Sequence, residues 1–276
     1  MSFVRHLPFA FILVALVLTS STPGFGQNAV VASGSTPTAS WFDVGVHPML
    51  SSRSLTIDGD SGRLDYQAPL QPGLALRASV HPLAIAIPDQ AWAAPLSIRA
   101  DISRHSLLSE VDYRSGGRVY MVDVPTRFTT SRFGLGYDIA LGPQATLSPT
   151  LGLQQLSWSL GYNPRLQSSY YRSLEFGLAG RISTGSLIQW HGQLHLRPGV
   201  DPGSTAQSFG NASSGFGLAL ALGGQIMLPH GLYLDARWLF QHFSLEYTLV
   251  EGNTVVARND ATDRFHSLSL GVGFRY

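Results

Sequence analysis

The sequence predicts an all-β protein, a transmembrane antiparallel up-and-down β-barrel of about ten strands, on three observations. The C-terminal run from Arg264 to Tyr276 alternates sides without a break. Nine further stretches alternate in the same way, and the connectors between them switch between tight turns and long polar loops. In the last run Leu268, Leu270, Val272, Phe274 and Tyr276 share one face, while Ser267, Ser269, Gly271, Gly273 and Arg275 share the other. A soluble sheet rarely buries glycine and arginine, whereas a strand with lipid outside and a tight polar lumen inside needs this pattern.

Taken in order, residues 1–26 read as a signal peptide. Arg5 precedes an apolar run from Pro8 to Leu18 too short to cross a bilayer, and Gly24-Phe25-Gly26 offers small residues for cleavage. Residues 27–40, rich in Ser, Thr and Ala, read as a flexible N-terminal segment, and 41–276 as the barrel domain. The roughly 235 residues left are enough for one barrel and too few for a sizeable second domain. The sequence holds no cysteine, so there is neither a lipoprotein attachment residue nor a disulfide framework.

The strands read as Trp41 to Ile57, Gly73 to Leu83, Pro95 to Val111, Thr126 to Leu141, Ala145 to Leu160, Ser173 to Ser183, Leu187 to Arg197, Gly215 to Met227, Gly231 to Tyr247 and Arg264 to Tyr276. Gly142-Pro143-Gln144, Thr184-Gly185-Ser186 and Leu228-Pro229-His230 are the tight turns; Asp58 to Pro72, Asp112 to Pro125, Gly161 to Arg172, Pro198 to Ser214 and Thr248 to Asp263 are the long loops. Ala84 to Ala94 is long where a turn is expected, and its Ile85, Ile87 and Trp92 suit an interfacial position. Barrels of eight or twelve strands stand as alternatives to ten, because the signal of each strand is weak.

Parity sends Phe133, Leu135, Tyr137, Ile139 and Leu141 to lipid, with Ile188, Trp190, Leu194, Leu196, and Leu232, Leu234, Ala236, Trp238 and Phe240. In the fifth strand the apolar set changes from Leu147, Leu151 and Leu153 to Leu156, Trp158 and Leu160, which predicts a bulge at Gln154-Gln155. Candidate aromatic girdles are Trp41, Phe42, Tyr137, Phe274 and Tyr276 at one rim and Tyr113, Phe128, Trp158, Tyr162, Phe243, Tyr247 and Phe265 at the other.

The closing aromatic residue, with apolar residues at every second position before it, resembles the terminal strand of bacterial outer-membrane β-barrels. That resemblance covers thirteen residues closely and the rest by pattern. It implies an outer-membrane address in a Gram-negative envelope, both termini periplasmic, contact with outer-membrane lipid and lipopolysaccharide, and an insertion signal read by the barrel-insertion machinery at Leu268, Leu270, Val272, Phe274 and Tyr276.

Inward positions collect Arg77, Arg99, Arg132, Arg181 and Arg237 against Asp43, Asp101, Asp138, Glu175 and Asp235, an expected ion-pair network that plugs a narrow lumen. His191 and His195 share that lumenal face, but two ligands fall short of a zinc site, and no metal or other cofactor is expected. Asp263, His266 and Ser267 beside His242 and Glu246 make the best catalytic constellation. It lacks the His-x-Ser arrangement of lipid A deacylases and the acidic and Asp/His pairs of omptin-type proteases. Asp58-Gly59-Asp60-Ser61-Gly62 begins like a calcium loop, but Gly62 and Pro69 occupy ligand positions, and Asn259, Asp260 and Asp263 are no better. Tyr162, Arg165, Tyr170, Tyr171 and Arg172 are the candidate surface-binding residues, aromatic and basic in one loop.

The net charge is +1 and charged residues are 13% of the chain, so there is no electrostatic footprint for nucleic acid. All 18 basic residues are arginine, the better fork for phosphates of lipopolysaccharide. The expected role is non-enzymatic: a mostly plugged barrel anchoring loops that bind a partner, a surface glycan or an envelope-complex subunit. A narrow gated pore and a membrane-embedded hydrolase are the alternatives.

Overall fold

The computed structural model describes residues 41–276 except 61, 88–89, 116–117, 162–167, 204–210 and 252–253. The segments read as a signal peptide and N-terminal arm, with Tyr162 and Arg165, therefore lie outside the described residues. The strands are β1 (Phe42–Gly59), β2 (Gly62–Val80), β3 (Leu96–Ser115), β4 (Arg118–Tyr137), β5 (Ile139–Ala140), β6 (Ala145–Leu160), β7 (Ser169–Thr184), β8 (Ile188–Pro198), β9 (Asn211–Met227), β10 (Leu232–Glu251) and β11 (Thr254–Arg275). The two residues of β5 continue β4 past Asp138 and pair with the same neighbour, so eleven segments make ten staves. Each pairs antiparallel with its sequence neighbours, β1 pairs with β11, and the ring is complete. No stave of the ring is left with an open edge, the condition for backbone in lipid.

Two phases of side-chain patterning stack along one continuous ladder. On β1 even-numbered residues face out throughout and odd-numbered residues face in. From Phe42 to Leu50 the outward set is apolar, close to the 9–11 residues or so that a tilted membrane strand needs. Beyond Leu50 it becomes Ser52, Ser54, Thr56 and Asp58, while the inward set becomes Leu55 and Ile57, both buried. β10 repeats the change: Leu232 to Phe240 out, then Phe243, Leu245 and Tyr247 in. The inversion falls at matching heights around the ring, since His266 pairs with Ser52 and Phe240, and Gln155 with Ser131 and Arg172. Below that level the sheet is greasy outside; above it the barrel is a water-facing extension with an apolar core.

This inversion corrects three expectations. Gln154-Gln155 is not a bulge: Gln154 pairs with Arg132 and Ser173, Gln155 with Ser131 and Arg172, without a shift. The apolar set of β6 changes sides because lipid gives way to water outside, not because the backbone changes phase. The outer aromatic girdle is not a girdle either, since Phe128, Trp158, Phe243, Tyr247 and Phe265 point inside and form the extension's core. Finally, Asp58 to Pro72, Asp112 to Pro125 and Thr248 to Asp263 are not loops but the outer ends of hairpins β1–β2, β3–β4 and β10–β11. A genuine irregularity does occur where β2 passes Ser51 and Arg53, and it turns Leu70 outward and Gln71 inward.

The rim near the termini is built as its aromatics suggest. Trp41 meets Tyr276 edge to face at 5.8 Å between ring centroids, and Phe42 meets Phe274 at 6.3 Å. The long connector there carries a short helix, α1 (Pro82–Ala86), with Ile85, Ile87 and Trp92 exposed.

Candidate functional site

The interior is layered from the rim of the termini outward, because successive inward residues on each strand change character. On β11 the order is Arg275, Gly273, Gly271, Ser269, Ser267, Phe265, Asp263 and Ala261; on β6 it is Ser148, Thr150, Gly152, Gln154, Leu156 and Trp158. The first layer is ionic. Asp43 accepts hydrogen bonds from Arg275 (2.7 Å) and Tyr233 (2.5 Å). Asp138 takes Arg99 at 2.7 Å, Arg181 at 3.0 Å and the Ser148 hydroxyl at 2.6 Å. Arg77 bridges Asp101 (3.3 Å) and Asp235 (3.2 Å), Arg237 reaches Asp101 at 3.4 Å, and Glu175 sits between Arg132 (2.7 Å) and Arg197 (3.2 Å). All ten residues named for the lumen thus face one interior, in ion pairs between adjacent strands, as Arg77 with Asp101, and between strands farther apart, as Arg237 with Asp101.

Glycine makes room for these side chains. A Cβ at Gly271 would collide with the ring of His47, and one at Gly177 with that of His195. His47 lies 3.3 Å and His191 3.6 Å from Asp235, while His195 lies 3.6 Å from Glu175. The two histidines of β8 thus face different carboxylates, and among the described residues no group of three metal-ligating side chains is assembled. Within this layer lies a cavity of about 180 Å³, bordered by Asp43, Arg77, Arg99, Arg132, Glu175 and Arg181 among others.

Above it comes a neutral layer in which Gln154 donates to Gln241 at 2.7 Å and Ser51 and Ser267 share a 2.6 Å hydrogen bond. Then the lumen closes. Phe128 stacks on Phe265 at 5.1 Å, Trp158 lies 5.6 Å from Phe128, and Tyr171 stacks on Phe243 at 4.7 Å. Within this core Arg53 and Asp263, both with fully buried side chains, pair at 2.6 Å, and Tyr171 donates to the same carboxylate at 2.7 Å. No residue of this core borders the cavity below.

The catalytic constellation does not converge. Asp263 and Ser267 point into the barrel, engaged as described, while His242, Glu246 and His266 are on the outer face of their strands. His266 packs against Phe240 at 5.0 Å and Trp238 at 6.3 Å. The candidate surface set also divides. Tyr171, on an odd-numbered inward position of β7, is buried inside and is no surface residue, whereas Tyr170 and Arg172 face out and touch, Arg172 donating to the Tyr170 hydroxyl at 3.2 Å. Asp58 and Asp60 stand at the tip of the first hairpin, where the Asp60 carboxylate caps the backbone N–H of Arg258. Sequence reasoning missed Arg53, Arg197 and His47 as interior groups, and put Arg275 on the lumenal face without adding it to the ion-pair network. Strand parity was the available signal, since each shares the inward set of its strand.

Comparison with known proteins agrees with this architecture. No protein-family model matches the chain, and no curated protein matches it in sequence. Among solved structures it is similar to the outer membrane protease OmpT from Escherichia coli, with a TM-score of 0.50 at 10% identity over 85% of this chain and 96% of that one. The β domain of the Bordetella autotransporter BrkA aligns at a TM-score of 0.42 and 12% identity, over 86% of this chain and all (100%) of the other. The likeness to OmpT is one of fold: the chain is built as an outer-membrane β-barrel.

Proposed function

We propose that the protein is a non-conducting, non-enzymatic outer-membrane anchor whose water-facing extension presents its hairpin tips to a partner, a surface glycan or another envelope-complex subunit. The observation that carries this reading is the filled outer lumen: Phe128, Trp158, Phe243 and Phe265 are each at most 1% exposed. A membrane anchor alone needs strands of about 9–11 residues. Here β3, β4 and β10 have 20 and β11 has 22, and the surplus is spent on a rigid, self-supporting projection. Lipid and lipopolysaccharide would meet the outward band and the basic ring above it, where Arg104, Arg172 and Arg264 follow the apolar positions. Assembly would use the closing strand, whose Tyr276 and Phe274 flank the seam with β1.

Two measurements test the proposal. Purified protein in a planar bilayer should show no steady conductance. The natural chain lacks cysteine, so one cysteine introduced at the exposed Asp58, near the outer end of the β1–β2 hairpin, should react with a membrane-impermeant maleimide on intact cells. Open conductance in the unmodified protein would refute the plug, and an Asp58→Cys variant labelled only after cell disruption would refute the outward display.

A further inference from the structure

The ionic layer does not balance. Asp43 is matched by Arg275, and Asp101 with Asp235 by Arg77 with Arg237, but Asp138 carries two guanidiniums and Glu175 carries two. Among the described residues of this layer seven positive groups therefore stand against five negative. The count takes histidine as neutral, and protonation of any histidine would widen the excess. Buried charge without a counter-charge is unfavourable in a low-dielectric interior, so two negative charges are owed.

The place where they are owed is specific. Arg132 and Arg197 grip opposite oxygens of Glu175; Arg132 lines the cavity, while Arg197 stands behind Glu175, its guanidinium 5.4 Å from the Phe243 ring. Arg99 and Arg181 grip opposite oxygens of Asp138. The cavity is lined by Arg132, Arg99 and Arg181. Thr150 Oγ1 and both ring nitrogens of His195 also line it, buried and without hydrogen-bond partners, and the His195 side chain is only 6% exposed. Exposure rises toward the rim of the termini, from 0% at Arg197 to 24% at Arg99 and 30% at Arg181, so the cavity is reached from that end and is blind at the other.

We propose that this cavity binds a doubly charged oxyanion of the phosphate class, taken up from the periplasmic end. Its two charges match the excess among the residues that line the cavity, six arginines against four carboxylates. Its tetrahedral oxygens suit guanidinium forks converging from β3, β4 and β7, and Thr150 and His195 supply neutral hydrogen-bonding groups. A single halide would settle only half of the imbalance.

The test uses full-length mature protein folded in detergent and dialysed into methanesulfonate at fixed ionic strength. Inorganic phosphate should raise the thermal midpoint and give a saturable calorimetric isotherm, and chloride at equal ionic strength should not. Dihexanoyl phosphatidic acid, run in parallel, separates the sources: binding of both assigns the phosphate group itself, and binding of the lipid alone assigns a headgroup. Arg132→Gln should weaken binding about ten-fold or more, the cost of one charge-assisted contact. Because that change also frees Glu175, Thr150→Val is the gentler variant and should weaken binding while the protein still folds. Arg127→Gln, on the outer face of β4, should leave the isotherm unchanged. Equal effects of phosphate and chloride, no effect of any anion, or unaltered phosphate binding in both lumen variants would overturn the proposal.

Discussion

Replacing Asp263 by asparagine removes one charge from the apolar core of the extension with almost no change of volume. Asp263 receives three hydrogen bonds from Arg53, Nε at 2.9 and 3.2 Å and Nη2 at 2.6 Å, and one from Tyr171 at 2.7 Å. Asparagine keeps an oxygen for Tyr171 and Arg53 Nη2, but its amide NH2 replaces the oxygen that accepts from Arg53 Nε, so the loss is the carboxylate's charge and that hydrogen bond beside a buried cation. Breaking a buried pair from one side costs about 3–5 kcal/mol. Arg53 retains partial support, because its guanidinium lies 4.9 Å from the Trp158 ring and 5.3 Å from the Phe265 ring and donates to Ser169 at 2.7 Å. We therefore expect the low end, about 3 kcal/mol, or roughly 150-fold in the folding equilibrium. The double variant Arg53→Met with Asp263→Leu, which removes both charges, should return to within about 1 kcal/mol of the natural protein. Urea unfolding in phospholipid vesicles, followed by tryptophan fluorescence, reads both. Raising salt should change little, since the pair is shielded from solvent. An Asp263→Asn protein within about 1 kcal/mol of the natural one, or a double variant no more stable than that single variant, would refute a desolvated pair inside the extension.

Two further outcomes follow from the ladder. Leu135→Arg, on the lipid-facing side of β4, should cost about 2–4 kcal/mol, whereas Thr129→Arg, on the same face of the same strand above the boundary, should stay within about 0.5 kcal/mol; equal costs would misplace the membrane edge. Tyr276→Asp should lower the amount of heat-modifiable, faster-migrating folded barrel in outer-membrane fractions, because it replaces the ring that meets Trp41 edge to face at 5.8 Å across the closing seam by a charge; normal folded levels would remove the assembly role from that residue.

What was legible in the sequence depended on which medium each stretch faces. The strand read as Ala145 to Leu160 coincides with β6 at both ends, since a Gly-Pro turn precedes it and Gly161 follows it. Where the outside of the sheet meets water, legibility failed. Arg258, Asp260, Thr262 and Arg264 alternate with Ala257, Asn259, Ala261 and Asp263 on β11, and so many polar residues in one run resemble a loop. Asp263 looked like a rim acid for that reason, although its parity places it beside Phe265 and Ala261. The ten lumen charges were readable because parity alone assigns them, but Arg197, on a strand end beside Pro198, was not read as inward, and Arg275, read as inward, was left out of the count. Their omission made an unbalanced interior look balanced.

Alternation along a strand defines two faces without saying which is inside, and this chain uses that ambiguity twice. Nothing in the backbone of β10 changes between Phe240 and Phe243, yet apolar side chains leave the even positions for the odd ones. The only physical change available is the medium outside. In lipid, the outer face is satisfied by acyl chains, so the interior can hold small residues, ion pairs and a cavity. In water, the same sheet is stable only if its apolar surface turns inward, and the rings of Phe128, Trp158, Phe243 and Phe265 supply it. The residues that stabilise the extension are therefore the residues that seal the lumen. A variant that opened this end of the barrel would therefore have to dismantle the core that holds the extension together.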